Sequence, residues 1–203
     1  MMIWLLMVTM LLMGCAGPHR SGSQQQSLRY YPLLLPSSYG ATLVIEQFLD
    51  GWTKEEHFQL HSQLEIDAHQ ILVVGFTAFQ TRAFALRFDG KSVELENFTD
   101  RRVPFPPEMI ISDIQKILWP TLPNQDGWSI VDDAIARVRL VFFEGQVVTR
   151  IQYEGTSPLD GDVELVDLLY GYQFRIRTLN VWGGRCYDFP SQHWEWSMHW
   201  GVI

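Results

Sequence analysis

Hydrophobic and polar residues alternate with period two through most of the chain after Leu28, and that period predicts strands rather than helices. Leu43 to Phe48 reads as a first strand. In the next segment Phe58, Leu60, Leu64 and Ile66 alternate with His57, Gln59, His61, Gln63, Glu65 and Asp67, which gives one apolar and one wet face. Ile71 to Phe76 is a continuous apolar run, as expected of a strand covered on both sides. Phe84, Leu86 and Phe88 share a face, Asp89-Gly90 is a hairpin signal, and Ser92 to Glu96 returns. The same grammar recurs. Val138, Leu140 and Phe142 lead to a turn at Glu144-Gly145, and Val147, Thr149, Ile151 and Tyr153 come back. Asp160-Gly161 precedes a strand over Val163 to Leu169, and Tyr172 to Leu179 alternates again.

One segment changes period. Ile110, Ile114, Ile117 and Leu118 recur at helical spacing between Pro106-Pro107-Glu108 and Pro120. Proline at the start and an acid in the first turn fit a helix N-terminus, so residues 107–118 are predicted as the main helix, lying on a sheet. The expected class is therefore mainly β (α+β). Near the C-terminus, Trp194, Trp196, Met198 and Trp200 fall on one strand face, with Glu195, Ser197 and His199 on the other. This Trp-rich stretch reads as a closing strand, or as an aromatic patch that touches lipid or lines a pocket.

The N-terminus obeys different rules. The apolar run from Met1 to Gly14 is too short to span a bilayer, which takes about 20 residues, but has the length of a signal-peptide core. Leu12-Met13-Gly14-Cys15 resembles the lipobox of bacterial lipoproteins, although only the α-amino group supplies positive charge ahead of the run. The resemblance implies a signal peptide over residues 1–14 and a lipidated Cys15. Ala16 rather than Asp after the cysteine favours the outer membrane by the same resemblance. Residues 15–27 are small and polar, a flexible tether. The expected domain plan is a single domain over residues 28–203.

Composition narrows the function. A formal net charge of −8 with scattered arginines argues against a nucleic-acid surface. Twelve Phe, eight Trp and seven Tyr can fill a large core. Only two cysteines occur, so lipidation of Cys15 would leave Cys186 with no partner. His57 and His61 would lie about 13 Å apart on a strand, too far to share a metal ion. Cys186, Asp188, His193 and His199 match no tight zinc-ligand or Cys–His pattern. The acid neighbours Glu65 with Asp67, and Asp132 with Asp133, read as solvated faces or turns. No nucleophile elbow, phosphate-binding glycine loop or HExxH motif is present. No catalytic residue, metal or cofactor is nominated.

LEID at 64–67, VVGFTAFQTRAFALRFDG at 73–90, ISDIQKILWP at 111–120 and GYQFRIRTL at 171–179 together resemble an uncharacterised family of small Gram-negative lipoproteins. Its members are often encoded beside lipid or polyketide-like biosynthesis genes, notably aryl polyene clusters. That family is similar to the lipoprotein carrier LolA and its outer-membrane receptor LolB. The resemblance implies a curved antiparallel sheet, an unclosed half-barrel, with a helical lid over an apolar cavity. The LolB receptor works through an exposed hydrophobic loop tip, and Phe98 to Phe105 carry too many charges to supply one.

A helix of 12 residues spans about 18 Å. That is too little to seal nine or ten strands, so an apolar cavity is expected to remain. The leading expectation is a monomeric, non-enzymatic lipoprotein held on the periplasmic face of the outer membrane by its lipid anchor. It would bind or transfer a lipid, a lipoprotein acyl chain or a polyene-like lipid, in exchange with a periplasmic carrier protein. Candidate lining residues are Phe58, Leu60, Leu86, Phe88, Leu140, Phe142 and Ile151; periodicity groups them by face but does not say which face is concave. The alternatives are a scaffold lipoprotein with a filled core that docks a partner protein, and an enzyme processing lipid or polyene esters.

Overall fold

The structure, a computed structural model, describes residues 29–182. A short 3-10 turn at Pro36–Tyr39 leads into β1 (Leu43–Trp52), β2 (His57–Ile66), β3 (Ile71–Phe76), β4 (Arg82–Phe88) and β5 (Val93–Asn97). The helix α1 (Pro107–Leu118) follows. The chain then forms β6 (Trp128–Asp133), β7 (Val138–Phe143), β8 (Gln146–Tyr153), β9 (Asp162–Asp167) and β10 (Tyr172–Trp182). All ten strands belong to one antiparallel sheet in the order β5-β4-β3-β2-β1-β10-β9-β8-β7-β6. The chain meanders outward from the centre to β5, crosses by way of α1 to the opposite edge, and meanders back until β10 pairs with β1. β5 and β6 are not paired to each other, so the sheet is an open half-barrel with a helical lid, as expected.

The turns follow local chemistry. Glu144 and Gly145 both take positive φ, 50° and 79°, the signature of the tight hairpin turn whose twist suits antiparallel strands. The Asp89 carboxylate accepts the backbone N–H groups of Lys91 and Ser92 and so closes the β4–β5 connection. Ile45, Leu64, Ile66, Leu86, Val141, Ile151 and Leu165 point inward and are fully buried.

Several expectations need correction. β6 was not foreseen, and β10 runs on to Trp182. β9 stops at Asp167, which leaves Leu168 and Leu169 exposed in the following turn. β3 is not covered equally on both faces, because Leu72 and Val74 are only half-buried. In β7 the alternation is inverted. Arg139 and Val141 point inward, so Leu140 points away from the core and Phe142, beyond a bulge, is only half-buried. The Trp-rich stretch and Cys15 lie outside the described residues, as does Cys186.

α1 has the predicted bounds, with Pro107 at its first position and Glu108 in its first turn. Its environment departs from simple amphipathic packing. The polar residues Ser112, Asp113, Gln115 and Lys116 are buried, while Ile110 and Ile114 are only half-buried. One reason is the extended N-terminal segment, which runs beside the helix. The Gln115 side chain accepts the Leu34 N–H at 2.9 Å and donates to the Leu34 carbonyl at 2.7 Å, pairing with backbone as a strand would. The Trp119 indole donates to the Ser38 hydroxyl at 2.8 Å.

Arg139 holds the other end. It is only 2% exposed, and its guanidinium forks onto Asp132 at 2.7 and 3.1 Å. The same group donates to the carbonyls of Lys116 at 2.7 Å and Trp119 at 2.8 Å. These belong to the last turn of α1, where carbonyls lack partners and the helix dipole is negative. Tyr153 adds a hydroxyl bond to the Ile117 carbonyl at 3.0 Å.

Removing Arg139 would leave the Asp132 charge and the carbonyls of Lys116, Trp119 and Pro120 without this partner. Arg139→Leu should cost about 3–5 kcal/mol in urea unfolding, and Arg139→Lys should recover little because an ammonium cannot fork. Changing Asp132 and Arg139 together to leucine should restore much of the loss. An undiminished denaturation midpoint in the single variant would remove Arg139 from this role.

Candidate functional site

Between α1 and strands β1 to β4 the sheet encloses a cavity of about 740 Å³. The helix contributes Ile110, Ile114, Ile117 and Leu118, and the sheet contributes Leu49, Phe58, Leu60, Leu64, Val73 and Phe84. Phe174 and Ile176 of β10 and Phe105 from the β5–α1 connection complete the apolar wall. The apolar stripe of α1 thus faces the cavity, which is why Ile110 and Ile114 are left partly exposed.

Two glycines keep the lumen open. A β-carbon on Gly75 would meet the Phe84 ring at 2.4 Å, and one on Gly51 would meet the Phe58 ring at 2.4 Å. Each pair lies directly across neighbouring strands. Each ring therefore lies flat over a bare glycine backbone instead of standing up into the space.

The rim lies at the end of the sheet that carries the β1–β2 and β3–β4 hairpins. Phe58, Phe105, Tyr172 and Phe174 cluster there, with Phe105 centred 5.0 Å from Tyr172 and 5.2 Å from Phe174. Asp100, Arg101 and Arg102 of the β5–α1 connection and Glu56 add charge to the lining. Phe79, at the tip of the β3–β4 hairpin, is 89% exposed and also lines the cavity. It is an exposed apolar loop tip that the sequence did not reveal, because a single Phe among Thr, Ala and Gln has no periodicity to mark it.

Behind the aromatic cluster lies a buried polar network. Lys116 Nζ is 2.7 Å from Asp113 Oδ1 and donates to Thr149 at 3.3 Å; Thr149 donates to Asp167 at 3.2 Å. The Tyr172 hydroxyl donates to Asp113 Oδ2 at 2.7 Å. Burial, then the nearby Asp113 and Asp167 carboxylates, push the Tyr172 phenol strongly up, so it stays a donor. Burial also lifts Asp167 above the ordinary carboxylate range, against the pull of Lys116 and of the Tyr170 N–H. Asp113 lines the cavity, so this network is part of its wall.

Of the residues nominated from sequence, Phe58 and Leu60 line the cavity. Leu86, Phe88 and Ile151 are buried in the core outside its lining. Leu140 and Phe142 do not line it either, because β7 turns Arg139 inward instead. Cys15 lies outside the described residues. His57 and His61 sit on β2, on the face opposite Phe58 and Leu60. His57 pairs with Asp50 and stacks on Trp52 at 5.1 Å, and His61 lies 2.5 Å from Glu46. No group of three His, Cys, Asp or Glu side chains among the described residues could hold a metal ion.

Because Asp167 binds its proton more tightly in the folded state, its contribution makes stability fall as pH rises from 3.8, its ordinary value, through its raised one. Asp167→Asn should therefore raise the melting temperature more at neutral pH than near pH 4, where a larger share of the wild-type carboxyl carries its proton. Equal shifts at both values would show that burial does not raise the Asp167 carboxyl.

No curated protein matches this chain. One solved structure, a putative outer membrane lipoprotein-sorting protein domain from Vibrio parahaemolyticus, aligns over 74% of this chain and 89% of its own. Its sequence identity is 8% and its TM-score 0.42. A family of known sequence pattern matches residues 44–180, which takes in all ten strands except Leu43 of β1 and the last two residues of β10. The chain belongs to that family, the proteins of unknown function grouped as DUF3261.

Proposed function

We propose that this protein is a non-enzymatic lipoprotein, anchored through Cys15 on the periplasmic face of the outer membrane, that binds a lipid-like molecule in the half-barrel and hands it on. The observation that carries the proposal is the direction of the α1 stripe. An amphipathic helix ordinarily buries its apolar side in the core, but Ile110 and Ile114 face a cavity of about 740 Å³. That volume falls within the range of about 300–1,000 Å³ seen for ligand sites. A lipid chain in it would gain about 0.8 kcal/mol per buried methylene, with no need of a polar motif.

Phe79 supports the transfer step. An exposed ring on the rim of an apolar cavity gives a chain a continuous apolar path between a membrane or carrier protein and the lumen. Arg101 and Arg102 at the same lining suit an anionic head that stays outside.

Native mass spectrometry of the chain from Ser21 onward, purified gently from periplasm, followed by organic extraction, tests the reading. A stoichiometric lipid or polyene is the expected result. Gly75→Val should press the Phe84 ring into the lumen and lower uptake of a hydrophobic fluorophore at least tenfold, with thermal stability little changed. A clean apo mass together with no fluorophore uptake by the wild type would show a closed, filled core and favour the scaffold.

A further inference from the structure

The inner wall of the cavity is built in rows, set by strand register. Nearest the rim, Phe174, Gly51 and Phe58 lie side by side across β10, β1 and β2. Next come Ile176, Leu49 and Leu60. Beyond the cavity's middle, Leu64 and Val73 continue the apolar lining, in register with Ile45 and Leu86 of the core. Between these two lies a row of different character: Thr178, Gln47, Ser62 and Gly75.

Gln47 is 9% exposed and Ser62 3%, and both line the cavity. No hydrogen bond from either side chain to another described residue is present, and neither is among the sealed, unpaired polar atoms, so their polar groups open onto the cavity. In the rows on either side leucine, isoleucine and valine fill the corresponding places. Two unpaired polar groups, directly opposite each other on paired strands and turned into the same space, are what a wall needs in order to recognise something.

We infer that Gln47 and Ser62 form a polar step in the cavity, and that the site takes a lipid chain bearing an uncharged hydrogen-bonding substituent, a hydroxyl or an amide, part-way along its length. This rests on the lipid-binding reading above and names the class of lipid. From Phe58 to Ser62 is four residues of strand, so the step lies about 13 Å inside the rim. Nothing at that depth offers an anion a free partner. Across the lumen stands Asp113, whose charge already engages Lys116, and the cations of the described lining are Arg101 and Arg102. An anionic head is better placed at the mouth, beside Arg101 and Arg102.

The test uses the full lipidated chain reconstituted in phosphatidylcholine vesicles and loaded with anthroyloxy-labelled stearate. Displacement by stearic acid is compared with displacement by stearic acid hydroxylated in mid-chain. The wild type should prefer the hydroxylated acid about fivefold or more, relative to the partition of each into vesicles alone. Gln47→Met with Ser62→Ala keeps the volume of the wall and should abolish the preference while stearic acid still displaces the label. Gln47→Met alone should melt no lower than wild type, because it removes an unpaired group; a marked drop would assign Gln47 a structural bond and overturn the inference. Equal displacement in the wild type, or a preference that survives the double variant, would overturn it while leaving lipid binding intact. Failure of any fatty acid to displace or load would defeat the lipid-binding reading itself.

Discussion

Arg139, the second residue of β7, is an ion facing inward, where a lone charge would not be tolerated. It is tolerated because its five N–H groups meet Asp132 and the closing carbonyls of α1. The dependence is mutual. The helix ends at Trp119 in extended conformation, with no glycine to satisfy its last carbonyls, and the guanidinium does that work instead. This contact fixes how far α1 can advance along the sheet. Around it the Tyr153 hydroxyl, the Lys116–Thr149 bond and the Tyr172–Asp113 bond tie the helix to β8 and β10.

All these links run to one side. Toward β1 to β4 the helix offers Ile110, Ile114, Ile117 and Leu118 with Asp113 among them, and no side chain of those strands hydrogen-bonds to it. Polar contacts are short and directional, so a helix bonded to β7, β8 and β10 cannot also collapse onto the facing wall. The cavity is thus a consequence of where the polar contacts are placed. A helix held by apolar packing alone could slide until the space closed, since that attraction has no preferred direction.

Much of this was written in the alternation of the chain. The hairpins at Asp89-Gly90 and Glu144-Gly145, the bounds of α1 and the inward face of β2 follow from local rules of turn chemistry and period. The failures have a common cause. In β7 the apolar residues Val138, Leu140 and Phe142 suggest an inward face, yet the sheet turns Arg139 inward because the helix C-terminus, some twenty residues away in sequence, supplies its partners. Leu140 and Phe142 therefore do not line the cavity, while Leu86, Phe88 and Ile151 lie on a buried face that the core already fills. β6 escaped notice since Trp128, Ile130 and Asp132 share a face whose last member is an acid, and only Arg139 makes that acid acceptable inside. Pairings across such distances leave no periodic trace.

The same reasoning explains why the cavity has walls of constant shape. Phe58 and Phe84 are large enough to fill much of the lumen, and rotation about their first side-chain bond would let them do so. Each instead covers a glycine on the adjacent strand, where the ring gains contact with backbone that no neighbouring β-carbon obstructs. A glycine in a strand costs conformational entropy, of the order of 0.5–1 kcal/mol against alanine. Two such residues, each directly opposite an aromatic ring and both on strands that face the helix, shift that cost onto the sheet in order to hold the rings down. The empty space is therefore maintained by the wall as well as by the lid, and either could be altered without touching the other.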